Sequence, residues 1–320
     1  MRSADFFSEW KQRSIRLVEL PLLADALVRA VPLIIAGLAV ALAFRGGVFN
    51  IGAEGQLLVG AIAGTAVSLF AGPALGRLAI LAALLSAAVA GALWAGIAAE
   101  LRKRFHVLEI ISTIMLNFIA IHLVSLLVRG PLQEPAQIYP QTQSISEATR
   151  LPLILPGTRL HLGFAIAIAL AIVLAWVFRT TAAGFRIRAV GAAPKAAWSA
   201  GAVDVTRTSY IVFLASGALA GLAGGIEISG VTFAMYENLS PGYGYAAIAV
   251  ALIAGLNPLG VIVSGIFFAI LETGAIALQR EFAIPSSIAS VAEAMLILFA
   301  LAISSIRGRG IPGLRRTASP

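Results

Sequence analysis

The sequence predicts an all-α fold, a polytopic membrane bundle with about eight crossings and some broken or re-entrant helices. Three observations lead there. Apolar residues make up 59% of the 320 and charged residues only 12%, against about 45–50% and about 25% in a soluble domain. Mean hydropathy is +0.94. The apolar residues gather in runs that recur along nearly the whole chain, leaving no interval long enough for a soluble domain with its own core.

Residues 1–27 form an N-terminal lead-in. Arg2, Lys11, Arg13 and Arg16 are mixed there with acidic residues and no small-residue cleavage site follows, so it does not read as a signal peptide. Phe6, Phe7, Trp10 and Leu17 alternate with the charges, a pattern of an interfacial helix. The transmembrane domain is expected over 28–306, because a crossing helix needs about 20 apolar residues. Spans fall at 28–44, 78–99, 108–128, 160–178, 208–229, 258–278 and 287–306. Two further apolar pieces, 57–71 and 245–256, are too short to cross comfortably alone. A basic tail, 307–320, closes the chain.

Loop charges orient such a bundle with its basic side in the cytoplasm. Placing the N-terminus, 100–107, 179–207 and the C-terminal tail there gathers 17 of the 23 Lys and Arg, with both termini cytoplasmic. Arg45, Arg77, Arg129, Arg150, Arg159 and Arg280 remain outside. Residues 45–77 must then begin and end outside, dipping in and returning with a break around Asn50–Gly55. Residues 245–256 descend from an outer loop and break at Asn257–Pro258, from where 258–278 climbs back. Irregular backbone at depth survives only where protein or a water-filled cavity covers it. Two breaks in corresponding places point to a transport pathway, with ordinary kinked spans as the alternative. The loop 129–159, carrying Pro131, Pro135, Pro140, Pro152 and Pro156, is expected to be irregular and exposed.

The net charge of +8 sits in short loops between apolar runs, which serves orientation in a bilayer and gives no case for a nucleic-acid partner. The absence of cysteine excludes disulfides and thiolate metal sites. His106, His122 and His161 are far apart without metal-ligand spacing, so no metal, cofactor or catalytic set is expected. Each lysine follows a residue other than glycine (Trp10, Arg102, Pro194), so no Gly-Lys pair can cradle phosphates. If ATP drives this chain, a separate subunit must hydrolyse it.

Three segments carry chemistry. In Gly46–Gln56, glycines at 46, 47, 52 and 55 loosen the helix, while Asn50, Glu54 and Gln56 bring polar groups next to apolar flanks that include Phe49. A carboxylate in hydrocarbon faces a bundle interior or a cavity. These residues either line a pathway or staple neighbouring helices, and Asn50 is the better lining candidate because an amide pairs with hydroxyls without a charge penalty. In Glu109–Asn117, Ser112, Thr113 and Asn117 fall within reach of one helical face. Asn117 lies about 12–15 Å into its span, as inter-helix glue or as a ligand contact. In the loop Gly184–Gly201, Pro194 suits a first helical position, alanines 196, 197 and 200 propagate the helix, and Gly201 can end it. With Arg186 and Arg188 before it, this short helix reads as a docking surface, or else as an ordinary basic loop. Gly217, Gly221 and Gly225 recur every fourth residue as a groove for close packing.

Together these segments resemble one family, the membrane permease subunits of bacterial nucleoside and simple-sugar ATP-binding-cassette importers, related more distantly to branched-chain amino-acid permeases. The resemblance rests on Phe44–Gly60 (FRGGVFNIGAEGQLLVG), Glu109–Asn117 (EIISTIMLN), Gly184–Gly201, Ser216–Gly225 and Gly242–Gly260 (GYGYAAIAVALIAGLNPLG). FNIGAEGQ followed by STIMLN favours the nucleoside branch. The resemblance implies a bacterial inner-membrane subunit with no enzymatic step of its own. It implies an ATPase subunit docked on the cytoplasmic loops, an extracytoplasmic substrate-binding protein and a second permease, which in the nucleoside branch is a different chain. A substrate pathway is then expected at Phe49, Asn50, Glu54, Gln56 and Asn117. Coupling to the ATPase is expected at Gly184, Arg186, Arg188, Gly191, Pro194, Ala197, Trp198 and Gly201. Ala193 departs from the family, which often has Asn before the proline, and Trp198 is unusual there. The competing function is a proton-coupled secondary transporter using Glu54, Glu227, Glu272 and Glu293, which has no need of the loop helix.

Overall fold

The computed structural model describes residues 20–76, 78–199 and 203–282, with Val291, Met295, Leu298 and Phe299. The expected interfacial helix within 1–19, most of the span at 287–306, the tail 307–320, Arg77, Gly201 and Glu293 lie outside the described residues. The helices are α1 (Leu20–Arg45), α2 (Ala53–Phe70), α3 (Gly72–Leu75), α4 (Leu78–Phe105), α5 (Glu109–Val128) and α6 (Gly163–Thr180). After them come α7 (Ala182–Ala192), α8 (Pro194–Ser199), α9 (Val205–Glu227, continued by a π-turn at Ile228–Thr232), α10 (Tyr243–Ile253) and α11 (Pro258–Phe282). Among the described residues seven helices are long and apolar enough to cross a membrane, with α10 a shorter apolar piece. The expected all-α polytopic fold is what forms.

Helix starts follow local chemistry. The Asp204 carboxylate accepts the Arg207 N–H at 2.9 Å and caps α9. The Asn257 side chain accepts the Leu259 N–H at 3.1 Å beside Pro258, the first residue of α11. The Thr181 hydroxyl accepts the Gly184 N–H at 3.0 Å and starts α7.

At the centre stands α1, buried over most of its length, while α4, α5, α6 and α11 present much of their apolar surface outward. The core is built on small residues. A Cβ at Gly221 of α9 would collide with the Ala87 carbonyl of α4, and a Cβ at Gly60 of α2 would collide with the Gly221 backbone. Gly217 meets Gly91 and Ala95 of α4, and Gly224 meets the Leu57 carbonyl of α2. Helices α2, α4 and α9 therefore touch backbone to backbone, which maximises van der Waals contact where the hydrophobic effect offers nothing between helices.

The sidedness departs from expectation at both ends of α1. Arg45 donates to the Leu256 carbonyl at 2.9 Å and holds its guanidinium 5.2 Å from the Phe178 ring centroid. The Phe49 N–H meets Glu109, which pairs with Arg102 at 3.3 Å. Arg45 thus shares an end with 100–109, 179–199 and 254–257, not with the loop 129–159. Conversely, Asp25 and Arg29 share a cavity with Arg159, Tyr236 and Asn238 at the opposite end. Residues 45–77 therefore cross the bundle once, with α2 as a full span, and do not begin and end on one side. The expectation that the N-terminal lead-in sits with 100–107 is likewise overturned for residues 20–27. Charge counting weighs Arg29 and Arg45 equally, and exchanging one for the other leaves the tally unchanged; only their packing partners separate them.

Both breaks exist, each a few residues before the place expected, so that Ala53–Gly55 and Pro258 are already helical. Residues 46–52 leave the helix and turn back into the interior, and 254–257 turn between α10 and α11 with Gly255 and Leu256 at positive φ. The Arg45–Leu256 hydrogen bond brings the two breaks together.

The loop 129–162 is irregular but not simply exposed. Backbone hydrogen bonds from Thr142, Ile145 and Leu151 to the Met235, Phe233 and Ser229 carbonyls, each 2.8 Å, tie it down, and Ile145, Leu151 and Thr149 are buried. Arg129 grips Glu237 with two charge-assisted bonds at 2.6 and 2.8 Å, which with the Ser125 hydroxyl hold that carboxyl down at about 2. His161 is fully buried, its Nδ1 accepting the Gly163 N–H at 3.1 Å. Burial, helped by the positive Arg159, holds its pKa down at about 4. The folded imidazole stays neutral while the unfolded one binds a proton below about 6.5, so stability falls as pH drops through that window. Between pH 6.5 and pH 5 the loss should be about 2 kcal/mol. Thermal melts of the wild type should show that slope and His161→Gln should flatten it; equal slopes would remove His161 as the source.

Candidate functional site

Asn50 is the hub of a polar knot at mid-depth. Its side chain and that of Gln56 exchange two hydrogen bonds, Asn50 Nδ2 to Gln56 Oε1 at 3.0 Å and Gln56 Nε2 to Asn50 Oδ1 at 2.9 Å. Asn50 Nδ2 also donates to the Ser216 hydroxyl at 2.9 Å, and Ser216 in turn donates to the Ala39 carbonyl at 2.8 Å. Asn50 Oδ1 accepts the Gly52 N–H at 2.9 Å, shaping the turn that starts α2. One amide thereby joins α1, α2 and α9 and satisfies backbone that lipid would leave unpaired.

Asn117 makes the second set of ties. It accepts the Gly55 N–H at 2.8 Å and donates to the Ile51 carbonyl at 3.0 Å and the Tyr245 hydroxyl at 3.4 Å. The Glu54 carboxylate accepts the Gly244 N–H at 2.6 Å. Gly55 and Gly244 permit this, since a Cβ on either would strike Asn117 or the Glu54 backbone. The five expected pathway residues are thus gathered around 46–56, but Asn50, Glu54, Gln56 and Asn117 are buried and hydrogen-bonded to protein. Phe49 differs: it is 51% exposed and stacks edge-on against Phe44 with centroids 5.4 Å apart. Ser216 and Tyr245 complete the knot and were missed as site residues, although both lie inside the quoted motifs.

Replacing Asn50 by leucine leaves the Gln56 amide and the Ser216 hydroxyl short of partners in the interior. We expect Asn50→Leu to destabilise the helical core by about 2–4 kcal/mol, read as a lower melting point in detergent. A stable Asn50→Leu protein with an unchanged melt would show that the knot contributes nothing to folding.

The loop Gly184–Gly201, expected to carry one helix, folds as two. Helix α7 runs from Ala182 to Ala192 ahead of α8, and its start needs Gly184, because a Cβ there would strike Val177 and Phe178 at the end of α6. Arg186 and Arg188 lie on α7, and Gly191 near its end presses on the Arg45 carbonyl and on Gly47. Pro194 opens α8 as expected. Ala197, however, is 8% exposed and packs with Val190 and Val203 in the loop's own small core, while Trp198 is 72% exposed. Trp198 is the large apolar side chain that α8 leaves exposed, and Ala197 holds the loop together from within.

These features match a known family. A family model described as the branched-chain amino acid transport system / permease component matches residues 22–303. The chain belongs to this permease family. This permease is similar to the glucose ABC transporter permease protein TsgB13 of Haloferax volcanii, at 41% identity over 87% of this chain and 75% of that one. It is also similar to the guanosine ABC transporter permease protein NupP of Bacillus subtilis, at 37% over 90% and 83%. The nucleoside ABC transporter permease protein NupB of Lactococcus lactis is 32% identical over 84% and 76%. No solved structure matches the chain. As a permease component it translocates a solute, and the proton-coupled alternative finds no support among its relatives.

Proposed function

We propose that this permease imports nucleosides, as one of two different permease chains in an ATP-driven complex. One observation carries the mechanical part. Gly191 of the docking loop lies against Arg45 and Gly47, which open the irregular stretch leading to the Asn50 knot. A push on α7–α8 is therefore delivered by backbone contact to the residues that tie α1, α2 and α9 together. The ATPase docks on α7–α8, which with 100–107 and Arg45 face the cytoplasm of the cell. The loop 129–162 and the start of α1 face outward, where a substrate-binding protein delivers the solute.

The nucleoside is favoured by the names of NupP and NupB, and a different partner chain by the chain's likeness to both NupP and NupQ of one organism, the latter at 31% identity. The likeness to TsgB13 favours a second reading, a simple sugar. Uptake by the complete complex in proteoliposomes, with ATP enclosed on the ATPase side, separates them. Accumulation of guanosine, uncompeted by excess glucose, is expected. Accumulation of glucose alone would replace nucleoside by sugar, and accumulation of leucine alone would end both.

A further inference from the structure

At the end of the bundle away from the docking loop, α1, α11, the end of α9 and residues 236–243 enclose a cavity of ≈ 540 Å³. It is within the size range of small-molecule sites, about 300–1,000 Å³. Its described lining carries two cations, Arg29 and Arg159, and two anions, Asp25 and Glu227. No ion pair within 4.0 Å joins these four to one another. Glu227 is only 4% exposed, yet its carboxylate takes no hydrogen bond from the described residues. A buried carboxylate without a donor is expensive, and here it faces a space large enough to hold one. The rings of Tyr236 and Tyr243 form part of the same wall.

We propose that this cavity is a solute site contained within a single permease chain, lined by residues other than those of the Asn50 knot, which takes a neutral, hydroxyl-bearing ligand with a flat ring. Glu227 and Asp25 accept from ribose hydroxyls, the two arginines donate to ring carbonyl or nitrogen acceptors, and a tyrosine face receives the base. The formal charges of the described lining cancel and the Glu272 carboxylate acts on Glu227 from beside it, so the site suits a neutral nucleoside over an anionic nucleotide. The ligand class rests on the nucleoside reading above; the site itself rests on the cavity.

The chain has no cysteine, so single cysteines report cleanly. Asn238→Cys and Thr273→Cys place a thiol on the cavity wall, and Ala136→Cys in the outer loop serves as an exposed control. The complete complex, in cells and in proteoliposomes, is treated from the outer side with an impermeant maleimide, with and without guanosine, while guanosine uptake is measured in the same preparations. Labelling at both wall positions should slow at least tenfold with saturating guanosine, while Ala136→Cys labels equally in both. Adding Glu227→Gln to Asn238→Cys should raise the half-protecting concentration at least tenfold, and guanosine monophosphate should protect far less than guanosine. Guanosine that accumulates without protecting either thiol, or wall thiols that never label while the control does, overturns the site. Protection without accumulation keeps the site and sinks the import reading; neither protection nor accumulation sinks both.

Discussion

Gly221→Val should all but abolish the folded permease. Gly221 is the point where α2, α4 and α9 meet, with the Ala87 carbonyl on one side and Gly60 on the other. Relief by rotamer change is not available, because the obstructing atoms are backbone. Overpacking a core by even a few methyl groups costs about 1–3 kcal/mol when side chains can shift. Here three helices must separate, so a loss of at least ~3 kcal/mol is expected. Gly274→Ala gives the opposite sign: a Cβ at that position of α11 meets open space, and removing a helical glycine should stabilise by roughly 0.5–1 kcal/mol. Fluorescence-detected gel filtration after graded heating reads both. A Gly221→Val protein that melts with the wild type would mean that the three helices do not pack as described.

The second large effect concerns docking. Trp198→Ala should leave the permease's own melt unchanged, because the indole is exposed, yet weaken its association with the ATPase by at least ~2 kcal/mol, about thirtyfold in Kd. Uptake should fail with it. Ala197→Glu should behave differently: it forces a charge into the small core of Val190, Ala197 and Val203, lowering the melt of the loop as well as abolishing docking. The two variants separate a contact residue from one that supports it. Binding of purified ATPase to permease in nanodiscs, beside melts of each variant, measures both. If Trp198→Ala binds ATPase and transports like wild type, α8 is not the contact, and coupling must pass through some other part of that end of the bundle.

The polar knot was legible as a group and illegible in its wiring. Asn50, Glu54, Gln56 and Asn117 stand out in the sequence because polar side chains in apolar surroundings are costly unless satisfied. Their distant partners, Ser216 for Asn50, Tyr245 for Asn117 and the Gly244 N–H for Glu54, lie 128 to 190 residues away along the chain. No local pattern encodes such pairings. Likewise Pro194 announced α8, but Ala197 and Trp198 are neighbours whose opposite exposure depends on where Val190 and Val203 come to rest.

What the sequence determined by itself is the helical membrane fold and, to within a few residues, the two breaks, because hydropathy and helix-breaking residues act locally. Only the tertiary structure decided which end of the bundle holds Arg45 and which holds Arg29, and that α2 is a full span. Hydropathy scores contact with lipid, and α2 is diluted by Gly, Ala, Thr and Ser that serve contact with other helices. Small residues look like weakness in a list of apolar runs. Against the backbones of α4 and α9 they are what allows the approach.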